Sequence, residues 1–459
     1  MIQTIRKAWG IPELRKKIIF TLLMLLIFRI GNAITVPFVN VDLLKVYLES
    51  QSTTILGLYN VMSGGAFAQA TLFALGVQPY INSSIIIQLL TIAIPALERL
   101  AKEGGEEGKK KIQAITRYAT VAIAVLSAFG YYMLMKNSGL LTANGTGIWP
   151  ALVIIVSFVA GSSFVMWMGE QINEFGIGNG ISMILFAGIV SRVPTAVSNM
   201  IASMQTWAEV RKGAVTLETL TAQGYTAQQA QNLLDSVMSP WGLVLMLIGA
   251  LALVVFIVFI QDAERRIPVQ YAKRQVGRRM YGGQSSNLPM KVNMAGVLPV
   301  IFAQSIVSIP ATVMALTGTG TQEGTFSYAL RNFLDSRSLA YMFLYALLII
   351  GFSYFYSSIQ FNPVEIANNL KKQGGFIPGF RPGKPTVDFI KKVLNKITLF
   401  GAIYLGIVAI LPLLLGKIVG SNSMSIGGTS VIIVVGVALE TVKALDTQML
   451  MRQYKGFLE

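Results

Sequence analysis

Glu170 and Glu174 form a carboxylate pair at helical spacing, the arrangement in which one acid and one base serve a single bond. They fall where an apolar stretch ends, so they read as the solvated end of a helix. Gly176-Ile177-Gly178-Asn179-Gly180 is glycine-rich enough to cradle a phosphate. It follows no strand and lacks the lysine of a P-loop, and a tight turn opening a helix fits it better. The chain holds no Cys and no His. Disulfides, thiolate metal sites, cysteine or serine–histidine nucleophiles and a histidine pH switch are thereby excluded. No constellation looks enzymatic, and no cofactor or metal is expected.

The remaining chemistry is cationic. RRIPVQYAKRQVGRRMYGGQSSNLPMKVN (265–293) and FNPVEIANNLKKQGGFIPGFRPGKPT (361–386) are long, basic, and interleaved with Pro, Gly and aromatics. Loops of this length are usually functional, and an Arg-rich surface suits docking to an acidic protein or to RNA phosphate. The plainer reading is topogenic charge at span ends.

The elements that position these loops are apolar. Hydrophobic residues make up 53% of the 459, charged residues 13%, and mean hydropathy is +0.61. Apolar runs recur along the chain, as in a polytopic membrane protein. The predicted spans are 18–36, 71–95, 114–135, 150–168, 179–203, 240–260, 293–316, 339–360, 397–416 and 427–447, ten in all. Arg29 and Pro37 around the first span, with no small-residue cleavage site after it, argue against a removed signal peptide. Residues 98–111 read as a solvated loop, and 204–239 as an external segment whose TLETLTAQGYTAQQAQNLLDS part is an amphipathic helical excursion. Of the 37 Lys and Arg, 28 fall on the side that carries both termini, 7 on the other, and Arg29 and Arg192 within spans. That bias puts both termini in the cytoplasm. The spans divide five and five around 204–239 into an N-terminal half (1–203) and a C-terminal half (240–447), with a tail at 448–459. Halves of opposite orientation permit an inverted repeat with a pathway between them.

One stretch does not fit a simple span. Ile55 to Met62 is apolar but about two helical turns long, far below the roughly 20 residues needed to cross a bilayer. Ser63-Gly64-Gly65 then breaks it. A half-helix hinged to a full span is a re-entrant element, tolerated only inside protein or along a water-filled cavity.

VQYAKRQVGRRMY, LPMKVNMAGVLPVIFAQSI, FNPVEIANNLKKQGGFIPGFRPGKPT, GGTSVIIVV, GIGNGIS and FALGVQPYINSSIIIQLL together resemble the bacterial SecY family, channel subunits of the secretion translocon. The likeness runs the length of the chain in the same order. It implies an all-α fold of ten transmembrane helices in two pseudo-symmetric inverted halves with a re-entrant plug helix. It further implies a non-enzymatic, protein-conducting channel in the bacterial plasma membrane that passes unfolded secretory proteins and inserts apolar helices through a lateral gate. The family's plug falls on about 55–66, with Ile55, Leu56, Leu58, Tyr59, Val61, Met62, Ser63, Gly64 and Gly65. Its pore ring falls on Val77, Ile81, Ile181, Leu185, Ile301 and Ile433. Two of these pairs are spaced i,i+4, so each faces one way from its helix. Asn82, Ser84 and Gln88 on span two, and Asn293, Gln304 and Ser305 on span seven, are candidates for the gate's polar contacts. Permanent interhelical bonding is the plain alternative for each. The docking surface for the SecA motor ATPase and the ribosome would use Arg265, Arg266, Lys273, Arg274, Arg278, Arg279, Lys371, Lys372 and Arg381. SecE and SecG subunits, signal-bearing preproteins and membrane lipid are the other implied partners. The length of 204–239 departs from the family, and no role is assigned to it. A solute transporter of inverted-repeat type is the rival class. It needs a midplane substrate site and ionisable coupling groups, and neither is evident. An insertion scaffold without a through-pore is a third reading; it needs a gate but neither plug nor ring.

Overall fold

The chain begins with a short helix, α1 (Ile2–Trp9), whose buried Ala8 packs with Leu14, Ile177 and Leu445. A computed structural model describes residues 2–50, 55–102, 104–211, 240–271, 274–276, 279–281, 285–317, 330, 333, 338–419 and 428–455. The amphipathic excursion expected within 204–239 lies almost wholly outside the described residues, as do Lys273, Arg278 and the last residues of the tail.

Helices occupy all ten predicted span positions. In the N-terminal half they are α2 (Pro12–Gly31), α5 (Gln78–Ala93), α7 (Gly105–Asn137), α8 (Ile148–Phe175), and the pair α9 (Gly180–Val190) and α10 (Val193–Arg211). Short helices α3 (Val41–Ser50), α4 (Ile55–Met62) and α6 (Pro95–Lys102) lie between them. In the C-terminal half they are α11 (Pro240–Asp262), α12 (Leu298–Thr317), α13 (Leu339–Gln360), α15 (Lys384–Val419) and α16 (Gly428–Lys455), with α14 (Pro363–Lys372) between α13 and α15. Six described helical stretches are long and apolar enough to cross a bilayer, and α5 with α6, bent by 105°, makes a seventh. The chain is an all-helical, multi-pass membrane protein. Exposed Leu, Ile, Val and Phe on the outer faces, such as Leu126, Leu251 and Phe343, present the apolar surface that lipid requires.

Several predicted boundaries move. The second span begins at Gln78, not Thr71, because Gly76 takes φ +53° and Pro79 sits in the first helical turn, where its missing N–H is harmless. Residues 98–111 are not a loop: α6 and the start of α7 carry their charges on exposed helix faces. The eighth-to-ninth connection is also mostly helical, and α15 starts at Lys384, 13 residues before the predicted span start at Ile397.

The largest difference is in the two basic stretches. They fold together into a small layer outside the membrane helices. Strands β1 (Glu264–Tyr271) and β4 (Ser285–Lys291) pair antiparallel, with Ile267 opposite Leu288 and Val269 opposite Ser286. Between them β2 (Arg274–Val276) and β3 (Arg279–Tyr281) form a second hairpin. From the other loop β5 (Gly375–Phe376) pairs with the free edge of β1 through Gln270 and Tyr271. Ile267, Val269 and Met290 then share one apolar core with Ala367 and Leu370 of α14, Ile377, and Ile390 and Leu394 of α15. Alternation at Ile267 and Val269 puts these side chains inward and Arg266 outward, with Arg265 exposed at the start of the strand.

The two halves meet at two seams. On one, α12 lies against α5 and α7; on the other, α16 lies against α9. α4 is inserted between, touching α9 and α12.

Candidate functional site

The short helix ends where the glycines predict. Gly64 and Gly65 take φ +69° and +91°, a left-handed turn that other residues adopt only at a cost. The turn is tied back on itself: Gly65 N–H donates to Asn60 O at 2.8 Å, Phe67 N–H to Ser63 Oγ at 3.1 Å, and Ala68 N–H to Asn60 Oδ1 at 3.0 Å. Asn32, the residue that caps α2, donates from Nδ2 to Ser63 O at 3.4 Å. A methyl group on Gly64 would stand 2.9 Å from Gly188 O, and one on Gly188 would stand 2.9 Å from Met62 O. Backbone therefore meets backbone where α4 abuts α9. Substituting alanine at Gly188, where the neighbour is main chain and cannot rotate away, is expected to push α4 off its seat. A single cysteine placed at Met62 should then react with a bulky, membrane-impermeant maleimide several-fold faster in Gly188→Ala than in the parent; equal rates would show that the close approach does not hold α4.

The helix spans two apolar cores. Leu56 belongs with Leu44, Leu48, Phe67 and Tyr131 in one, while Met62 belongs to the main core between the halves. Tyr59 packs on the first, half-buried; the side chains of Ile55, Leu58 and Val61 lie outside the described set.

All six predicted ring residues are in that main core together with Met62. Val77 caps α5 and Ile81 follows one turn later, its N–H bonded to Val77 O at 3.0 Å, so the i,i+4 relation survives the late helix start. Ile181 and Leu185 come from α9, Ile301 from α12 and Ile433 from α16. Five are buried and Ile181 is half-buried. The six come from both halves and belong to one continuous apolar cluster rather than facing lipid.

The predicted gate residues lie on α5, α12 and the turn before it, and the bonds of Gln88 and Asn293 stay on their own side. Gln88 Nε2 donates to Ser84 Oγ on its own helix at 3.3 Å, and Asn293 Nδ2 to Gly296 O at 3.0 Å. Asn82 Oδ1, Gln88 Oε1 and Gln304 Oε1 are buried with no hydrogen-bond partner; Ser305 is buried on α12. One polar contact between the halves goes through the short helix. Gln304 Nε2 of α12 donates to Met62 Sδ at 3.5 Å, and Gln78 Nε2 of α5 donates to the same sulfur at 3.0 Å. Gln78 was not among the expected residues; a buried glutamine beside Pro79 in an apolar run was the available signal. Sulfur is a weak acceptor, so this clasp is one that separation of α5 from α12 breaks easily.

Arg265 and Arg266 are exposed on β1, with Arg266 Nε 2.7 Å from Glu264 Oε1. Arg274 and Arg279 lie on β2 and β3. Lys371 and Lys372 end α14, exposed, where cations complement the helix dipole. Arg381 projects from the turn between β5 and α15, which Phe380 and Phe389 fix by ring contact at 4.2 Å and Thr386 Oγ1 by donating to Arg381 O at 2.8 Å. The two loops thus carry these basic residues on one folded layer. Glu170 is not an acid–base partner of Glu174: its Oε1 pairs with Arg117 Nε at 2.8 Å, while Glu174 is exposed.

An all-helical membrane protein with a re-entrant helix seated between two halves is the class these features define. The family model described as SecY matches residues 71–442. A relative from Streptomyces scabiei, described as protein translocase subunit SecY, is 41% identical over the whole of both chains. The chain belongs to the SecY family. Among solved structures, "The structure of a protein conducting channel" aligns with TM-score 0.60 at 16% identity over 95% of this chain and 92% of that one. "Sec61 in the Canine ribosome-channel complex from the endoplasmic reticulum" aligns with TM-score 0.56 at 15% identity, covering 95% and 92% respectively. Both share the fold.

Proposed function

We propose that this chain is the channel subunit of a bacterial translocase, passing unfolded secretory proteins through the apolar cluster and releasing apolar segments sideways between α5 and α12. The observation that carries this reading is that Met62, the tip of the short helix, shares one buried apolar cluster with six aliphatic residues drawn from both halves. Aliphatic side chains seal by dewetting and part around a peptide of any sequence, since none of them demands a specific hydrogen bond. Closed, α4 plugs the constriction; a signal sequence wedged between α5 and α12 breaks the Gln78–Met62–Gln304 clasp and frees it. The chain is a channel component and not an enzyme, so the energy comes from a partner. The basic layer carrying Arg265, Arg266, Lys371, Lys372 and Arg381 is the surface on which the SecA motor or a ribosome docks, its arginines matching carboxylates or RNA phosphate. SecE and SecG complete the complex, the membrane is the bacterial plasma membrane, and both termini face the cytoplasm. Reconstitution with SecE, SecG and SecA tests this directly. ATP should drive a signal-bearing precursor into a protease-protected state inside the vesicles, and a precursor with a charged signal core should stay outside. Protection that ignores the signal, or none with all partners present, would overturn the reading.

A further inference from the structure

Two cations stand inside predicted spans, and the channel reading uses neither. Arg29 lies near the far end of α2 and Arg192 in the turn between α9 and α10. The structure brings Arg29 against the residue that precedes Arg192. Arg29 Nη1 reaches Ser191 Oγ, the residue before Arg192, at 3.4 Å, which is long for an N–H···O bond. Ser191 Oγ is already committed as a donor, to Gly188 O at 2.7 Å. One terminal nitrogen of Arg192 is buried and has no hydrogen-bond partner, and among the described residues neither guanidinium has a carboxylate within ion-pair distance. A guanidinium does not shed its proton, and unpaired arginine at membrane depth is costly enough that a partner is the default expectation.

The surroundings say what kind of partner. Leu26 and Ile30, flanking Arg29, are 61% and 56% exposed, and Val193, beside Arg192, is 52% exposed. Arg29 and the start of α10 thus border an apolar surface. A ligand with an anionic head and apolar tails satisfies both halves of this description. We propose that Arg29, Ser191 and Arg192 bind the phosphodiester of a glycerophospholipid, with its acyl chains along α2 and α10. In the topology above this lipid belongs to the outer leaflet; the binding itself does not depend on that assignment.

Native mass spectrometry of the purified complex, loaded with phosphatidylglycerol and then washed in detergent, tests the site. Parent protein should retain a lipid that Arg29→Gln/Arg192→Gln loses by at least about tenfold, the ratio that one lost charge-assisted hydrogen bond produces. Arg29→Lys/Arg192→Lys, which keeps the charge and the fold, should recover part of that retention. Equal retention by the parent and the glutamine variant would overturn the proposal. Displacement of the bound lipid by millimolar inorganic phosphate would overturn the choice of a lipid, leaving a free-anion site.

Discussion

Serine in place of Ile81, Ile301 or Ile433 is expected to make the resting membrane leak ions. Each of these side chains is buried in the cluster between the halves, at 5%, 4% and 1% exposure. Truncating a buried isoleucine to a small residue removes about 2–5 kcal/mol of packing and transfer free energy, and here that energy belongs to the closed state alone. At about 1.4 kcal/mol per factor of ten, the wetted population should rise at least tenfold. The hydroxyl adds to this by offering water a hydrogen bond among aliphatic side chains that have none to give. Ile→Val at the same positions costs only about 0.5–1.5 kcal/mol and should leak far less. Single-channel or vesicle ion-flux recordings without precursor distinguish these outcomes. Resting conductance unchanged in Ile81→Ser and Ile301→Ser alike would mean that the cluster is ordinary packing and the seal lies elsewhere.

Arg381→Glu should abolish motor-driven transport while leaving the protein folded. The turn is held by the Phe380–Phe389 contact and by Thr386 bonding to the main chain of Arg381, so the guanidinium itself supports nothing in the fold. It is exposed, and surface changes of this kind usually shift stability by no more than about 0.5 kcal/mol. Reversing its charge turns attraction to a carboxylate or phosphate into repulsion. Truncating one partner of a desolvated charge pair costs about 2–5 kcal/mol, a 30-fold or greater loss of docking, and reversal should exceed it. Precursor protected from protease, measured beside the thermal melting point, gives both numbers. Normal transport would remove Arg381 from the docking surface; a lowered melting point would mean that the loss reflects folding.

How far residues alone disclosed this architecture depends on how local the governing physics is. The short helix was legible to the residue, Ile55 to Met62, because its limits follow from apolar length and from paired glycines. The late start of α5 was not, because Gly76 and Pro79 compete with a run that is apolar enough to continue the helix on either side. The sheet was hidden for another reason: only Ile267 and Val269 alternate inward on β1, with Pro268 between them, and the partner strand lies beyond a basic hairpin. Its third strand comes from about 100 residues away, and nothing local in Gly375-Phe376 signals the pairing. The ring illustrates the same limit. An isoleucine in a span looks the same whether it faces lipid or an axis, so only the family likeness singled out Ile301 and Ile433. Gln78 and Gln304 were legible as polar residues in apolar helices, but their shared acceptor, the Met62 sulfur, is a tertiary fact.

The chain contains no cysteine, so one can be introduced at Ile301 as a unique reporter. A second is placed in a secretory precursor arrested partway by a folded C-terminal domain, and the complex is oxidised in the presence of the motor, ATP and the SecE subunit. A disulfide that forms at Ile301 only with ATP and a functional signal sequence is the predicted result, because it puts the moving polypeptide inside the apolar cluster. Adducts confined to cysteines at lipid-facing positions such as Leu126 or Phe343, with none at Ile301, would contradict it.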